Sequence, residues 1–234
     1  MDVSVVFGVL GNIVASLLFL SPADTFWRIL KNRSTEDFES IPYTVLLLNA
    51  SLWIYYGIMK PVVLLVTING FGAVMMIIYL TIFVTYAPPR MKVRTVATFV
   101  VMNVGFYASV ILVTKLTMNK DARISTAGTL CVCVTVISFA SPLSAMRTVV
   151  MTKSVEFMPF FLTFFYFLVA TIWSIYGILL HDTFILIPNG IGFALGVAQL
   201  VLYASYRKPS PSKAVNGGNL EEGDQHQHLI VNYV

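Results

Sequence analysis

The sequence predicts an all-α membrane protein of seven transmembrane helices, arranged as two parallel three-helix repeats joined by a linker helix (3+1+3). Three observations carry this. Of 234 residues, 57% are apolar and only 11% charged, and mean hydropathy is strongly positive, a balance foreign to soluble globules. The apolar residues fall into seven runs, each near the roughly 20 residues that a helix needs to cross about 30 Å of hydrocarbon. Finally, the chain repeats itself at an offset of 120 residues. Trp53-Ile-Tyr-Tyr-Gly57 and Asn69-Gly-Phe-Gly72 return as Trp173-Ser-Ile-Tyr-Gly177 and Asn189-Gly-Ile-Gly192, Ser21-Pro22 as Ser141-Pro142, and Ser34 with Glu36 as Ser154 with Glu156.

The first run, Ser4 to Leu20, has no preceding basic cluster and no small-residue cleavage pattern after it, so it reads as a retained helix. Ile41 to Met59 and Val62 to Tyr86 complete the first triplet. Thr95 to Thr114 matches nothing at the repeat offset and forms the linker. Ile124 to Met146, Phe157 to Leu180 and Thr183 to Tyr206 make the second triplet. Three crossings leave the chain on the far side, so a fourth is required before the second triplet can begin in the orientation of the first. The organisation is residues 1–88 as first repeat, 89–120 as linker, 121–207 as second repeat and 208–234 as a disordered cytoplasmic tail, Pro/Ser-rich and then acidic.

Several chemistries are excluded. Gly70-Phe-Gly72 lies mid-span, far from any strand-to-helix nucleotide site. His226-Gln-His228 is too sparse for a metal site. Cys131 and Cys133 point to different faces of one helix and imply no disulfide framework. No catalytic constellation, cofactor or nucleic-acid site is expected, and the net charge of +4 resides in loops beside a membrane.

Those loops set the orientation. With the N-terminus non-cytoplasmic, the cytoplasmic side collects Arg28, Lys31, Arg33, Arg90, Lys92, Arg94, Arg147, Lys153, Arg207, Lys208 and Lys213, and the other side Lys60, Lys115, Lys120 and Arg123. Eleven against four favours N-out and C-in.

Counted along the spans at about 1.5 Å per residue, Trp53, Asn69, Trp173 and Asn189 lie on the order of 10 Å below the outer surface, in one plane. Single tryptophans also form interfacial belts and single buried asparagines bond neighbouring helices; a matched quartet points to a shared site. Two indoles offer flat faces to the C–H surface of a sugar ring and one N–H each, and each amide both donates and accepts. No acidic or basic residue sits mid-span, so the pocket suits a small neutral molecule and lacks a carboxylate proton relay.

The prolines form a second plane. Pro22 and Pro142 fall near the inner ends of the first and fifth spans, Pro42 and Pro159 at the inner starts of the second and sixth. The latter pair also suits ordinary first-turn positions. As a set they suggest hinges of a cytoplasmic gate.

Pro22, Lys31 to Pro42, Leu52-Trp-Ile-Tyr-Tyr-Gly57, Asn69-Gly70, Ala140-Ser-Pro-Leu-Ser144 and Lys153 to Pro159 resemble the plant SWEET (MtN3/saliva) sugar transporters, a family that is itself a standard instance of the parallel-repeat architecture. The resemblance covers residues 1 to about 207. It implies that Trp53, Trp173, Asn69 and Asn189 line a sugar site, that Pro22, Pro42, Pro142 and Pro159 form a proline tetrad, and that Tyr56 and Asp182 belong to an outer gate. It further implies proton-independent bidirectional uniport of hexoses (fructose, glucose) or sucrose by alternating access, in a lipid membrane, by homo-oligomers that include trimers.

Selectivity in the family is linked to positions that correspond to Asn49 and Val169, four residues before each Trp, and to Leu18 and Ser138, four before Pro22 and Pro142. Asn49 and Val169 are bulkier than the serines associated with sucrose carriers, which favours hexose. The overall pattern is most similar to the vacuolar-membrane subgroup, with the plasma membrane as the alternative. A PQ-loop amino-acid transporter would share the repeat, but Ser-Pro stands where Pro-Gln is expected. A seven-span receptor would lack the 3+1+3 duplication.

Overall fold

The computed structural model describes residues 2–36, 38–156 and 158–207. Among these, seven helical segments are long and apolar enough to cross a membrane. They comprise α1 (Val3–Leu20) continued by α2 (Ala23–Asn32), α3 (Ile41–Met59), α4 (Val63–Tyr86), the linker α5 (Pro89–Phe99) and α6 (Tyr107–Thr117) joined by a π-helical stretch over Val100–Phe106, α7 (Lys120–Ser138) continued by α8 (Ala140–Thr152), α9 (Phe160–Leu179) and α10 (Thr183–Tyr206). The tail's acidic and histidine motifs lie outside the described residues.

Three spans, the first, fourth and fifth, run past their apolar runs. The first continues through α2, whose Phe26 and Ile29 are buried while Trp27 faces out beside the charged Asp24, Arg28 and Lys31. Such an amphipathic turn at a membrane surface averages to low hydropathy and ends an apolar run early. The fourth span covers Pro89–Thr117 for the same reason.

Within each repeat the helices stand in the order first, third, second: α4 packs between α1 and α3, and α10 between α7 and α9. The repeats meet through α1 against α9 and α3 against α7, a pseudo-two-fold arrangement. Small residues permit the close approach that lipid-embedded helices depend on. A Cβ on Gly8 would come within 2.4 Å of Leu64 on α4, and one on Gly11 within 3.0 Å of Trp173 Nε1 on α9. Asn12 then ties α1 to α4, donating to the Leu64 carbonyl at 2.8 Å and accepting from Thr67 at 3.0 Å.

The linker rides on α3. Three polar contacts fasten it: Ser40 with Thr95 at 2.6 Å, Asn103 to the Thr44 carbonyl at 3.2 Å, and Tyr55 with Thr114 at 2.7 Å. The rest of the linker is largely exposed, the surface lipid would cover.

The loop after the first span is built like the loop after the fifth. Arg33 and Lys153, 120 residues apart, both adopt the left-handed conformation that ends a helix, with φ of 50° and 55°. Ser34 and Ser154 accept from the Glu36 and Glu156 backbone N–H groups at 3.2 and 3.3 Å. Among the described residues only the first loop adds an ion pair within itself and its preceding helix: Arg28 and Asn32 hold Glu36, and the Arg28 hydrogen bond, followed by that of Asn32, keeps its carboxyl below the usual carboxylate range. Thr148 and Thr152 replace those two partners in the second repeat.

The four prolines divide into two kinds. Pro22 sits at the break between α1 and α2, where Ser21 N–H and Oγ both bond the Leu18 carbonyl at 3.2 and 2.8 Å. Pro142 lies in the first turn of α8, just after the break at Phe139, and has no N–H for the Ser138 carbonyl. Pro42 is in the first turn of α3, and Pro159 immediately precedes α9. The latter two begin helices, where a missing N–H costs nothing, so only Pro22 and Pro142 lie at breaks inside a span.

Candidate functional site

The indoles and amides reach one place because their helices are paired by the pseudo-two-fold. α3 carries Asn49 and Trp53 on successive turns of one face, and α9 carries Val169 and Trp173 likewise. α4 and α10 contribute Asn69 and Asn189. A cavity of about 220 Å³ lies between them, walled also by Leu18 from α1. Seven of the eight residues expected in the pocket are thus brought together. Ser138 is not among the lining residues: its hydroxyl donates back to the Val134 carbonyl at 2.9 Å, and Thr135 and the buried Phe139 form this part of the wall.

Both amides are set in the same way. Asn69 Nδ2 donates to the Leu65 carbonyl at 2.9 Å, and Asn189 Nδ2 to the Ile185 carbonyl at 2.8 Å. One N–H of each orients the group, while the second N–H and the carbonyl oxygen remain available to a ligand. The indoles differ. Trp53 Nε1 donates to Thr135 Oγ1 at 3.2 Å, and Thr135 in turn donates to Asn49 Oδ1 at 2.9 Å. Trp173 Nε1 has no acceptor among the described residues and lies over Gly11. Both rings are buried, at 6% and 4% exposure, and each meets a tyrosine edge-on, Tyr56 and Tyr176 respectively.

Toward the end of the bundle that carries the N-terminus, the space above the indoles is closed. Tyr56 Oη donates to Asp182 Oδ1 and Oδ2 at 2.9 and 2.7 Å, and Lys60 Nζ pairs with Oδ2 at 2.7 Å. Asp182 is fully buried and also caps α10, accepting from Phe184 and Ile185 N–H at 3.0 and 3.2 Å. A buried carboxylate needs such saturation. At the other end α2 packs on α4, and α8 on α7 and α10, each within its own repeat. The hydrogen bonds and ion pair between the two repeats, among the described residues, are Trp53–Thr135, Tyr56–Asp182 and Lys60–Asp182 at the indoles and above, and Thr135–Asn49 one turn below.

Sequence reasoning missed Thr135, Phe19, Phe139, Tyr166 and Pro188 in the wall, and Lys60 as the partner of Asp182. For part of this a signal existed: Ala15 with Thr135, Phe19 with Phe139, Leu65 with Ile185 and Ile68 with Pro188 are all offset-120 pairs. Lys60 had none, since its counterpart is Leu180. No charged side chain lines the cavity among the described residues.

Comparison with known proteins agrees with this architecture. The MtN3/saliva family profile, described as "Sugar efflux transporter for intercellular exchange", matches residues 5–91 and 125–210, one block per repeat. The Arabidopsis thaliana protein named bidirectional sugar transporter SWEET17 is 46% identical over 92% of this chain and 90% of its own length. SWEET16 of the same plant is 48% identical over 90% of this chain and 92% of its own. A solved structure of a eukaryotic SWEET transporter superposes with a TM-score of 0.84 at 39% identity, covering 88% of this chain and 97% of that one. With both repeats matched and a fold shared along nearly the whole chain, this protein belongs to the MtN3/saliva (SWEET) family.

Proposed function

We propose that the protein is a bidirectional uniporter of neutral sugars that works by alternating access and draws on no proton gradient. The observation that carries this is the meeting of two indoles and two half-free amides, from matched positions in two repeats, around one uncharged cavity. Indole faces stack on the C–H surface of a sugar ring, and amides serve hydroxyls that both donate and accept. A cavity of about 220 Å³ is smaller than the roughly 300 Å³ at which pockets for drug-sized ligands begin, which supports hexoses (fructose, glucose) over sucrose. The names of the relatives, bidirectional sugar transporters, support the substrate class.

Alternating access places Tyr56, Lys60 and Asp182 at the gate on the N-terminal side. The breaks at Pro22 and Pro142 act as the hinges on the other side. The basic-residue count supports a non-cytoplasmic N-terminus, and similarity to the vacuolar subgroup supports the vacuolar membrane. A homo-oligomer, trimers included, is part of the same proposal. An amino-acid carrier is disfavoured, since a zwitterion would enter a cavity without a fixed counter-charge.

Counterflow of labelled fructose, glucose, sucrose and alanine in proteoliposomes tests the reading. Exchange of hexose, with little of sucrose and none of alanine, is expected. Exchange of alanine without hexose would overturn it.

A further inference from the structure

The two repeats place matching side chains around the cavity, yet its two seams are chemically unlike. At the α3/α7 seam stand Asn49, Trp53 and Thr135, linked in one direction: the Trp53 N–H donates to Thr135 at 3.2 Å and the Thr135 hydroxyl donates to Asn49 Oδ1 at 2.9 Å. The one proton of that hydroxyl is committed and one of its two lone pairs is taken. That bond takes one lone pair of the Asn49 amide oxygen and fixes the amide so that its N–H groups are left for a ligand. At the α1/α9 seam the corresponding residues are Ala15 and Val169, which offer no hydrogen bond, and the Trp173 N–H is unpaired among the described residues.

We propose that Thr135 is the positioning residue that makes this pseudo-symmetric cavity directional, so that a neutral sugar binds with its hydroxyl-rich edge on the Asn49 seam and a hydroxyl-poor edge on the Ala15–Val169 seam. This rests on the sugar-transport reading and deepens it. Without the Thr135 hydroxyl the Trp53 N–H loses its acceptor, leaving the ring held by burial and its edge-on contact with Tyr56, and the Asn49 amide is free to turn its oxygen into the cavity. The polar seam then loses its fixed pattern of donors. A site built to hydrogen-bond specific hydroxyls discriminates strongly against analogues that lack them, whereas a site without that pattern does not.

The experiment uses purified full-length chain in proteoliposomes, with exchange of labelled glucose and competition by the monodeoxy glucoses. Thr135→Val keeps the volume and removes the hydroxyl; KM is expected to rise about tenfold with little change in kcat, the loss of one ligand-facing hydrogen-bond pattern. The spread of competition among the deoxy sugars should shrink by a similar factor. Thr135→Ser, which restores the hydroxyl, should return both values to within about twofold of the parent. A complementary variant leaves Thr135 in place: Ala15→Thr with Val169→Asn builds a second polar seam opposite the first, and is likewise expected to narrow the deoxy-sugar spread. Parental KM and spread in Thr135→Val, equal impairment of Thr135→Ser and Thr135→Val, or an unchanged spread in the Ala15/Val169 variant would each overturn the proposal. A parent that exchanges no hexose would overturn the transport reading and this inference with it; an active parent separates the two.

Discussion

The Tyr56 hydroxyl reaches both carboxylate oxygens of Asp182, at 2.9 and 2.7 Å, across 126 residues of sequence and from one repeat to the other. The pseudo-two-fold would pair Tyr176 with Val62 in the same way, and the Val62 side chain has no acceptor. The latch therefore exists once, and Lys60, whose counterpart is Leu180, strengthens only that copy. Tyr56→Phe removes the hydroxyl and keeps the ring. A reporter Tyr176→Cys in that background should label faster with a membrane-impermeant thiol reagent than in the parent. Equal labelling of folded protein would show that the latch does not hold this end shut.

Trp53→Ala, Trp173→Ala, Asn69→Ala and Asn189→Ala should each abolish hexose flux while leaving a monodisperse protein. Loss of a stacking face or of a hydrogen-bond partner costs roughly 1–3 kcal/mol of binding, about tenfold to a hundredfold in affinity. Near-normal uptake by any two of the four would place the site elsewhere.

Asn49 and Val169 stand one turn from the paired tryptophans and wall the same cavity. Replacing both by Ser removes bulk from two sides while leaving the stacking faces in place. The sucrose-to-hexose flux ratio should rise, because steric rejection of a disaccharide is relieved, and hexose flux should fall as its fit loosens. Competitive uptake of labelled sucrose and fructose by variant and parent in the same vesicles measures the ratio; an unchanged ratio in active protein refutes the size argument.

Transport should be independent of the proton gradient, since the acidic residues stand at span ends, in loops or in the tails and none lines the cavity among the described residues. Labelled hexose should equilibrate across the vesicle wall and go no further. Accumulation above the outside concentration that a protonophore collapses would contradict this.

The repeated glycines should answer differently to alanine. A Cβ on Gly177 would meet the Leu186 backbone N at 2.9 Å, and backbone does not yield as a side-chain tip does. Gly177→Ala should cost about 1–3 kcal/mol through overpacking. A Cβ on Gly70 or Gly190 meets nothing within 4 Å, and alanine there should be neutral or stabilising by about 0.4–1 kcal/mol, since it restricts the unfolded chain. Thermal unfolding in detergent compares them, with a Gly177→Ala midpoint at or above that of Gly70→Ala as the contrary result.

Sequence alone determined the membrane class, the duplication, the unmatched linker and the common depth of Trp53, Asn69, Trp173 and Asn189. Each of these follows from hydropathy and periodicity along one helix, or from identity at one offset, and so needs no knowledge of which helices touch. Helix packing decided the rest. Thr135 in isolation is a helix-interior threonine, and only the α3/α7 contact turns it into the link between Trp53 and Asn49. Asp182 was singled out through resemblance, whereas its pairing with Lys60 required the α3–α4 and α9–α10 ends to meet. Ser138, four residues before Pro142, was expected in the wall through the family resemblance. The helix break at Phe139 and the bulk of that ring gave the place to its neighbours, because side-chain direction near a break is set by local backbone geometry, which residue spacing does not encode.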